Sequence, residues 1–262
     1  MSKAIAASDA FTQQMDTLIA IAASGMRSRL ESLDILANNL ANSNTSGYKA
    51  DHEAYQLYFG AGSTDDWGDN QLTASSMPAL GRDWIDMSQG TLIDTGNMSD
   101  VALSGAGFFA IQTAGGILYT RTGSFRVSKR GQLTTREGFA VLGIGGQPIA
   151  LDPALPWTVS PNGAVTQGGA AVGTLQVVTT SSPGALVKHG GTYFALEPGN
   201  TMSIVTDPNL LQGKVEGSNV PAPQAAVKLV GVMRQFEMLQ KAVRMAGDMD
   251  KQAIEQVARV TS

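Results

Sequence analysis

The last part of the chain, residues 224–260, has the hydrophobic spacing of one long helix. Apolar side chains recur there at intervals of three and four residues and resume after a polar step at Asp250. They are Leu229, Val232, Phe236, Leu239, Val243 and Ala246, then Ala253, Val257 and Val260. This spacing keeps them in one helix seam, as in a coiled-coil strand. At 1.5 Å per residue the helix would be roughly 50 Å long, so it needs a partner to bury the seam.

The beginning of the chain offers that partner. From Met15 onwards the apolar positions again fall mostly on one helical face, with a phase slip of one residue near Arg29 and Leu30 that resembles a coiled-coil stutter. They are Met15, Ile19, Ala22, Met26, Leu33, Ala37 and Leu40. We therefore predict that the two helices pair in a coiled-coil-like layer. Ile19, Met26, Leu33 and Leu40 are its predicted packing residues on the first helix, with Leu229, Val232, Phe236, Leu239, Val243 and Val257 on the second.

Both helices carry further apolar side chains outside the seam. These are Leu18, Ile21 and Leu36 on the first helix, and Val230, Met233, Met238, Met245 and Met249 on the second. A helix that is apolar on more than one side requires more than one neighbour. The pattern therefore predicts packing between subunits as well as within one chain.

Asparagines are concentrated where the first helix is predicted to end. Asn38, Asn39 and Asn42 precede Gly47, which can adopt the left-handed conformation that follows many helix ends. One interpretation is a capped helix terminus, because asparagine competes with the helical backbone for hydrogen bonds. The other is a polar ladder that fixes the register between packed copies, as a buried asparagine does in coiled coils.

The central part of the chain has the pattern of short strands separated by turns. Segments such as Phe108–Gln112, Trp157–Val159 and Tyr193–Leu196 alternate with glycine-rich, Pro-Asn-Gly and Ser-Pro-Gly turns. The predicted fold class is α+β, with an antiparallel β-sandwich or irregular barrel between the terminal helices. The predicted segments are a flexible extension (1–14), the first helix (15–47), a connecting segment with short strands (48–98), the β domain (99–212) and the last helix (213–262).

Composition excludes several classes of partner. The formal net charge of -4 and the pI near 5.2 disfavour nucleic acid or an anionic membrane surface as partners. No apolar run reaches the length of about 20 residues that a membrane-spanning helix requires. The chain has no cysteine, and its first residues lack the apolar block of a cleavable secretion signal.

The candidate catalytic and ligand-binding motifs are weak. Gly105-Ala106-Gly107 has the glycine spacing of a dinucleotide loop, but a strand pattern follows it where that loop requires a helix. His52 and His189 lack partners at metal-ligand spacing. The acidic cluster of Asp65, Asp66, Asp69 and Asn70 lacks the remainder of a calcium loop. We therefore predict no enzyme activity, no cofactor and no metal site.

Three stretches together resemble a known family. Residues 15–49 contain ASGM and LDILANNLANSNTSGYK, the centre contains GFFAIQTAGGILYTRTGSFRVSKRGQLTTREGFAVLGIGGQPI, and LLQGKVEGSNV precedes the last helix. All three resemble the signatures of bacterial flagellar rod and hook proteins, and the single small β domain is most similar to the basal-body rod members. The segment around Phe236-Glu237-Met238 is more similar to the proximal-rod member than to the distal-rod member. Family members tend to start at the position of Met15, so the resemblance implies that residues 1–14 are either an extension or the result of an upstream start assignment.

The resemblance implies a structural axial subunit that polymerises through its terminal helices. Its partners would be further copies, other rod, hook or basal-body subunits, and the flagellar export apparatus that carries it to the periplasmic rod without a cleaved signal peptide. An open helical assembly of this kind would transmit torque. Two alternatives remain: a β-rich secreted binding or enzymatic domain dimerised by its helices, and an adhesin or phage-tail-like subunit.

Overall fold

The computed structural model describes residues 2–53, 55–59, 76–80 and 84–260, and the fold is α+β. Helix α1 spans Ser2–Ala41 and helix α2 spans Ala222–Val260. Helix α1 begins well before the predicted start at Met15, because the alanine-rich first residues favour a helix although they lack a clear hydrophobic repeat. Whether residues 1–14 are flexible in solution stays a prediction. Among the described residues, no helix is long and apolar enough to span a membrane.

The described strands are short, and all of them lie between the two helices in the chain. They are β1 (Asp51–His52), β2 (Tyr55–Phe59), β3 (Ser76–Leu80), β4 (Trp84–Ile85), β5 (Leu92–Asp94), β6 (Val101–Ser104), β7 (Phe108–Thr113), β8 (Gly116–Thr120), β9 (Phe125–Val127), β10 (Leu133–Thr135), β11 (Ala140–Val141), β12 (Trp157–Val159), β13 (Ala164–Gln167), β14 (Ala170–Thr174), β15 (Val177–Thr179), β16 (Leu186–Lys188), β17 (Tyr193–Leu196), β18 (Ser203–Ile204), β19 (Asn209–Gln212) and β20 (Lys214–Glu216). A 3₁₀ turn, Pro183–Ala185, precedes β16.

The largest sheet is antiparallel and has nine strands. Its main path runs β16-β17-β8-β7-β11-β10-β9, and β15 joins β7 to β18. The strands β12-β13-β14 form a separate three-stranded sheet, with a register shift between Val165 and Thr166. The remaining described strands form two-stranded pairs: β1 with β4, β2 with β3, β5 with β20 and β6 with β19. The main path ends at β9 and β16, so the described strands do not form a closed barrel.

One hydrophobic core joins several of these sheets. Phe109 and Ile111 of the nine-stranded sheet lie in the same buried cluster as Trp157 and Val165 of the three-stranded sheet. Leu210 of β19 completes the contact. A second cluster is formed around Phe108, Leu186 and Phe194. Burial of large apolar side chains at about 25 cal/mol per Å² is the main term that holds such short strands together.

The chain divides into two compact units. One unit comprises residues 1–38, 51–84 and 223–262, and therefore contains most of α1 and nearly all of α2. The other comprises residues 39–50 and 85–222, which include the end of α1 and all of the described strands that follow β4. The predicted connecting segment, residues 48–98, is shared between the two units.

Candidate assembly surfaces and a buried charge cluster

Helix α2 has one half-buried side and a set of exposed apolar side chains. The half-buried residues include Leu229, Val232, Phe236, Leu239, Val243 and Ala246, which are the predicted seam positions. Exposed apolar residues on the same helix are Val227, Val230, Met233, Met238, Met245 and Met249. The side chain of Val257 is outside the described part. The helix thus presents apolar surface that the described residues leave uncovered, and a role for the seam between subunits stays a prediction.

Helix α1 has a similar half-buried side. Ile19, Met26, Leu33 and Leu40 are half-buried, whereas Leu30 is 48% exposed. Sequence reasoning missed the burial of two serines on this helix, Ser28 and Ser32, of which Ser32 is fully buried. Their spacing of four residues places them on one helical face, which could have indicated a small-residue contact.

The unit that contains both helices has an open apolar groove, which we call the helix groove. It is lined by residues of α1 and α2, among them Ile19, Ala22, Gly25, Leu239, Val243 and Ala246, and has a volume of about 550 Å³. A Cβ added at Gly25 would lie 3.7 Å from Cδ1 of Leu239. Small residues at this point leave space that larger side chains would fill.

The asparagines at the end of α1 make hydrogen bonds within the chain. The Tyr48 hydroxyl donates to Oδ1 of Asn39 over 3.1 Å, and the Thr45 hydroxyl donates to Oδ1 of Asn42 over 3.2 Å. Asn39 is buried, while Asn38 is exposed and also has an interaction partner. These contacts account for Asn39 and Asn42 within one chain. A role in the register between copies stays a prediction.

Gly47 lies just after the end of α1, where the chain packs against the β-rich residues 85–222, which we call the β body. Its φ of 71° is in the left-handed region, and a Cβ there would lie 2.5 Å from the backbone nitrogen of Thr122. The Gly47 N–H donates to the backbone oxygen of Glu216 over 2.8 Å. Only glycine fits this backbone conformation and this close approach together.

A buried cluster of three charged residues lies beside this turn. Lys49 Nζ is 2.6 Å from Glu216 Oε1, and Arg121 Nη1 is 3.1 Å from Glu216 Oε2. The side chains of Lys49 and Glu216 are 0% exposed, and that of Arg121 is 4% exposed. Lys49 also donates to the backbone oxygen of Ser88 over 2.6 Å, and the Gly90 N–H donates to Glu216 Oε1 over 3.0 Å. Glu216 is therefore the acceptor at the centre of the cluster.

Burial and the nearby Glu216 carboxylate shift the pKa values of the two cations, Lys49 and Arg121, in opposite directions. Burial lowers the pKa of Lys49, although attraction to Glu216 opposes the change. Burial likewise lowers the pKa of Arg121, again against attraction to Glu216. The Arg121 guanidinium carbon also lies 5.2 Å from the ring centroid of Phe108. Charges buried in this way are tolerated only when they are paired and hydrogen-bonded.

Asn219 links the same segments of chain a few residues further on. Its Oδ1 accepts from the Ala50 N–H over 2.8 Å, and its Nδ2 donates to the backbone oxygen of Asp86 over 2.8 Å. The residues that follow α1 and those that precede α2 are therefore fixed to each other through Asn219 and through Glu216. Sequence reasoning missed both, since the partners of their side chains lie between 95 and 169 residues away along the chain.

The motifs that were weighed as possible catalytic or ligand-binding sites are the glycine motif before β7, His52 and the acidic cluster. Gly105 and Gly107 lead into strand β7, so no helix begins there to hold a phosphate. His52 stacks on Trp84 with ring centroids 4.6 Å apart. Within the described ranges, no group of His, Asp and Glu side chains is placed to hold a metal ion. Residues 65, 66, 69 and 70 of the predicted acidic cluster lie outside those ranges.

Two long helices with uncovered apolar surface, at the two ends of one β-rich chain, are the features of a subunit that assembles with others. Family models support this class and cover the three stretches in order. The model described as flagella basal body rod protein matches residues 19–49. The FlgE/F/G D1 domain of the flagellar hook protein matches 102–167, and the C-terminal part of flagellar basal body rod FlgEFG proteins matches 211–256.

Full-length relatives agree. The flagellar basal-body rod protein FlgF of Caulobacter vibrioides is 30% identical over 247 residues, which cover 94% of this chain and 100% of that protein. FlgG of Agrobacterium fabrum is 31% identical, over 88% of this chain and 95% of its own length. FlgF of Escherichia coli is 31% identical, over 89% of this chain and 95% of its own length. The chain belongs to the flagellar basal-body rod protein family, which is structural and not enzymatic.

Each family-model match contributes one member of the buried charge cluster. Lys49 lies in the first matched region, Arg121 in the second and Glu216 in the third. The three regions thus meet in space at this cluster.

Proposed function

We propose that this chain is an axial subunit of the flagellar basal-body rod, which polymerises through its terminal helices into the shaft that transmits torque across the periplasm. The observation that carries the proposal is the alignment with a rod protein over 94% of the chain. The exposed apolar side chains of α2 support it, because a soluble monomer rarely leaves such a row uncovered on one helix.

Within the subunit, we propose that α1 and α2 pair along the seam in a coiled-coil-like layer. The half-burial of Leu33 on α1, and of Phe236 and Leu239 on α2, supports this arrangement. Residues that are half-buried in one chain become fully buried when neighbouring copies pack on them. Each fully buried side chain of this size contributes about 1.5–3 kcal/mol.

For the β body, we propose a sandwich-like packing of the nine-stranded sheet on the three-stranded sheet. The shared core cluster supports it, since Trp157 and Val165 of one sheet lie in the same cluster as Phe109 and Ile111 of the other. Within this unit, the buried charge cluster fixes the segment that follows α1 to the segment that precedes α2.

We also propose that the subunit reaches the periplasmic rod through the flagellar export apparatus without a cleaved signal peptide. Other rod, hook and basal-body subunits are then its neighbours. A proximal-rod position is favoured by the sequence around Phe236-Glu237-Met238.

The test is to replace Leu239 with aspartate and measure assembly. A carboxylate in the seam loses its water on packing, so Leu239→Asp should abolish incorporation into basal bodies and swimming, while the β body stays folded. The matched control is Gln240→Asp, which places the same charge at an exposed neighbouring position and should swim normally. Normal swimming and incorporation of Leu239→Asp would show that the seam does not carry assembly.

A further inference from the structure

The helix groove is apolar and open. Ala22 and Gly25 of α1 lie opposite Leu239 and Val243 of α2. Their small side chains leave about 550 Å³ that the described residues do not fill. Arg29 is the charged residue among those that line the groove, and it has an interaction partner already. The groove therefore suits apolar side chains from outside the chain.

The same chain presents a row of side chains that could fill such a groove. Met238, Met245 and Met249 are 62%, 62% and 58% exposed, and we call them the methionine row. At 3.6 residues per turn they point within about 40° of one another. The residues of α2 that line the groove point on average about a quarter turn away from them, with Ala242 nearest to the row. The row therefore cannot enter the groove of its own chain.

The row and the groove match in length and in chemistry. Residues 238–249 rise about 16 Å along α2, and the groove extends along residues 19–29 of α1, about 15 Å, at 1.5 Å per residue. Methionine is unbranched and flexible, so it adapts to irregular apolar spaces better than other residues of its size.

Resting on the proposed function, we propose that the helix groove of one copy receives the methionine row of the next copy. The contact joins two different surfaces, so each copy offers one free groove and one free row after it binds. A contact of this type does not close on itself when the rotation differs from that of a ring, and it then produces an open helical assembly. The occupant of the groove is thus a second copy of this chain.

Cysteine cross-linking tests the contact directly, because the natural chain has no cysteine. One tagged copy carries Ala22→Cys, and an untagged copy carries Met238→Cys, Met245→Cys or Met249→Cys. Both are produced in a host without its own copy of this gene, and basal bodies are purified and mildly oxidised. At least one methionine position should give a tagged–untagged disulfide dimer.

The matched control replaces Gln240 with cysteine. Gln240 is exposed on the same helix but points about 160° away from the row. It should give less than a tenth of the dimer formed by the best row position. Equal cross-linking at Gln240, or disulfides to a different basal-body subunit in place of this chain, would overturn the proposal. Gly25→Cys replaces Ala22→Cys if the latter is not incorporated.

The amount of this chain in the purified basal bodies distinguishes a failure of the groove contact from a failure of the proposed function. If the cysteine variants are incorporated and no row position cross-links, the groove contact is wrong and the proposed function stands. If the unsubstituted chain is itself absent from basal bodies, the proposed function fails and the groove contact fails with it.

Discussion

Replacing Glu216 with alanine should destabilise the β body strongly. The substitution leaves Lys49 and Arg121 buried without their shared carboxylate, and it leaves the Gly90 N–H without its acceptor. Removing one partner of a buried ion pair costs about 3–5 kcal/mol, because the remaining charge is uncompensated. With a urea dependence of about 2–3 kcal/mol per molar, the unfolding midpoint should fall by roughly 1–2.5 M.

Urea unfolding of the isolated chain, followed by tryptophan fluorescence, measures this loss. Trp157 is buried in the core and reports on unfolding of the β body. The matched control is Lys214→Ala, two residues away on β20. Lys214 pairs with Asp94 over 3.5 Å, but the two side chains are 39% and 71% exposed. Such surface pairs contribute about 0–1 kcal/mol, so the control should shift the midpoint little.

A triple variant distinguishes the effect of an unpaired charge in the buried charge cluster from the effect of lost packing. Lys49→Met, Arg121→Met and Glu216→Leu together remove all three charges and keep apolar side chains of similar length. This variant should lose less stability than Glu216→Ala, because no buried charge is left unpaired. If Glu216→Ala loses no more than Lys214→Ala, or if the triple variant loses more than the single one, the cluster does not hold the segments as argued.

Two further substitutions test local features. Gly47→Ala should lose more stability in urea unfolding than Gly96→Ala. Both glycines have a positive φ, which typically costs a residue with a Cβ about 1–2 kcal/mol, but only the Cβ at Gly47 would meet the backbone of Thr122. Equal losses would show that the close approach is absent. Burial acts to raise the pKa of Glu137, but the hydrogen bond from Tyr193 contributes to a net lowering below 4.5. This pair therefore stabilises the fold above about pH 4.5, and the contribution is lost as the pH falls through the lowered pKa. Tyr193→Phe should raise the pKa of Glu137 in an NMR titration. It should cost under about 1 kcal/mol of folding stability at neutral pH, and less in acid. An unchanged titration of Glu137 would contradict this.

The two helices were accessible to sequence reasoning because a repeat of three and four residues is a local signal. The strands Trp157–Val159 and Tyr193–Leu196 agree with their predicted bounds because turn residues flank them closely. Strand β14 was missed, since Ala-Ala-Val-Gly-Thr has neither alternation nor bulky residues. The start of α1 was missed for a similar reason: small residues allow a helix without marking one face.

The buried charge cluster could not have been predicted from one sequence. Lys49 and Glu216 are 167 residues apart, and nothing in the local pattern around either residue indicates that it is buried. A lysine and a glutamate are normally placed at the surface, so the general rule pointed away from the core. Only the fold, which returns the chain to the end of α1, makes the pair visible.

The most direct measurement of the central claim is the position of this chain in purified basal bodies. A small tag on the chain, visualised by electron cryomicroscopy of those particles, would locate it. Our account predicts density in the rod, with the two helices packed against helices of neighbouring subunits. Absence of the tag from the rod in motile cells, with the chain recovered as a free secreted monomer, would contradict it.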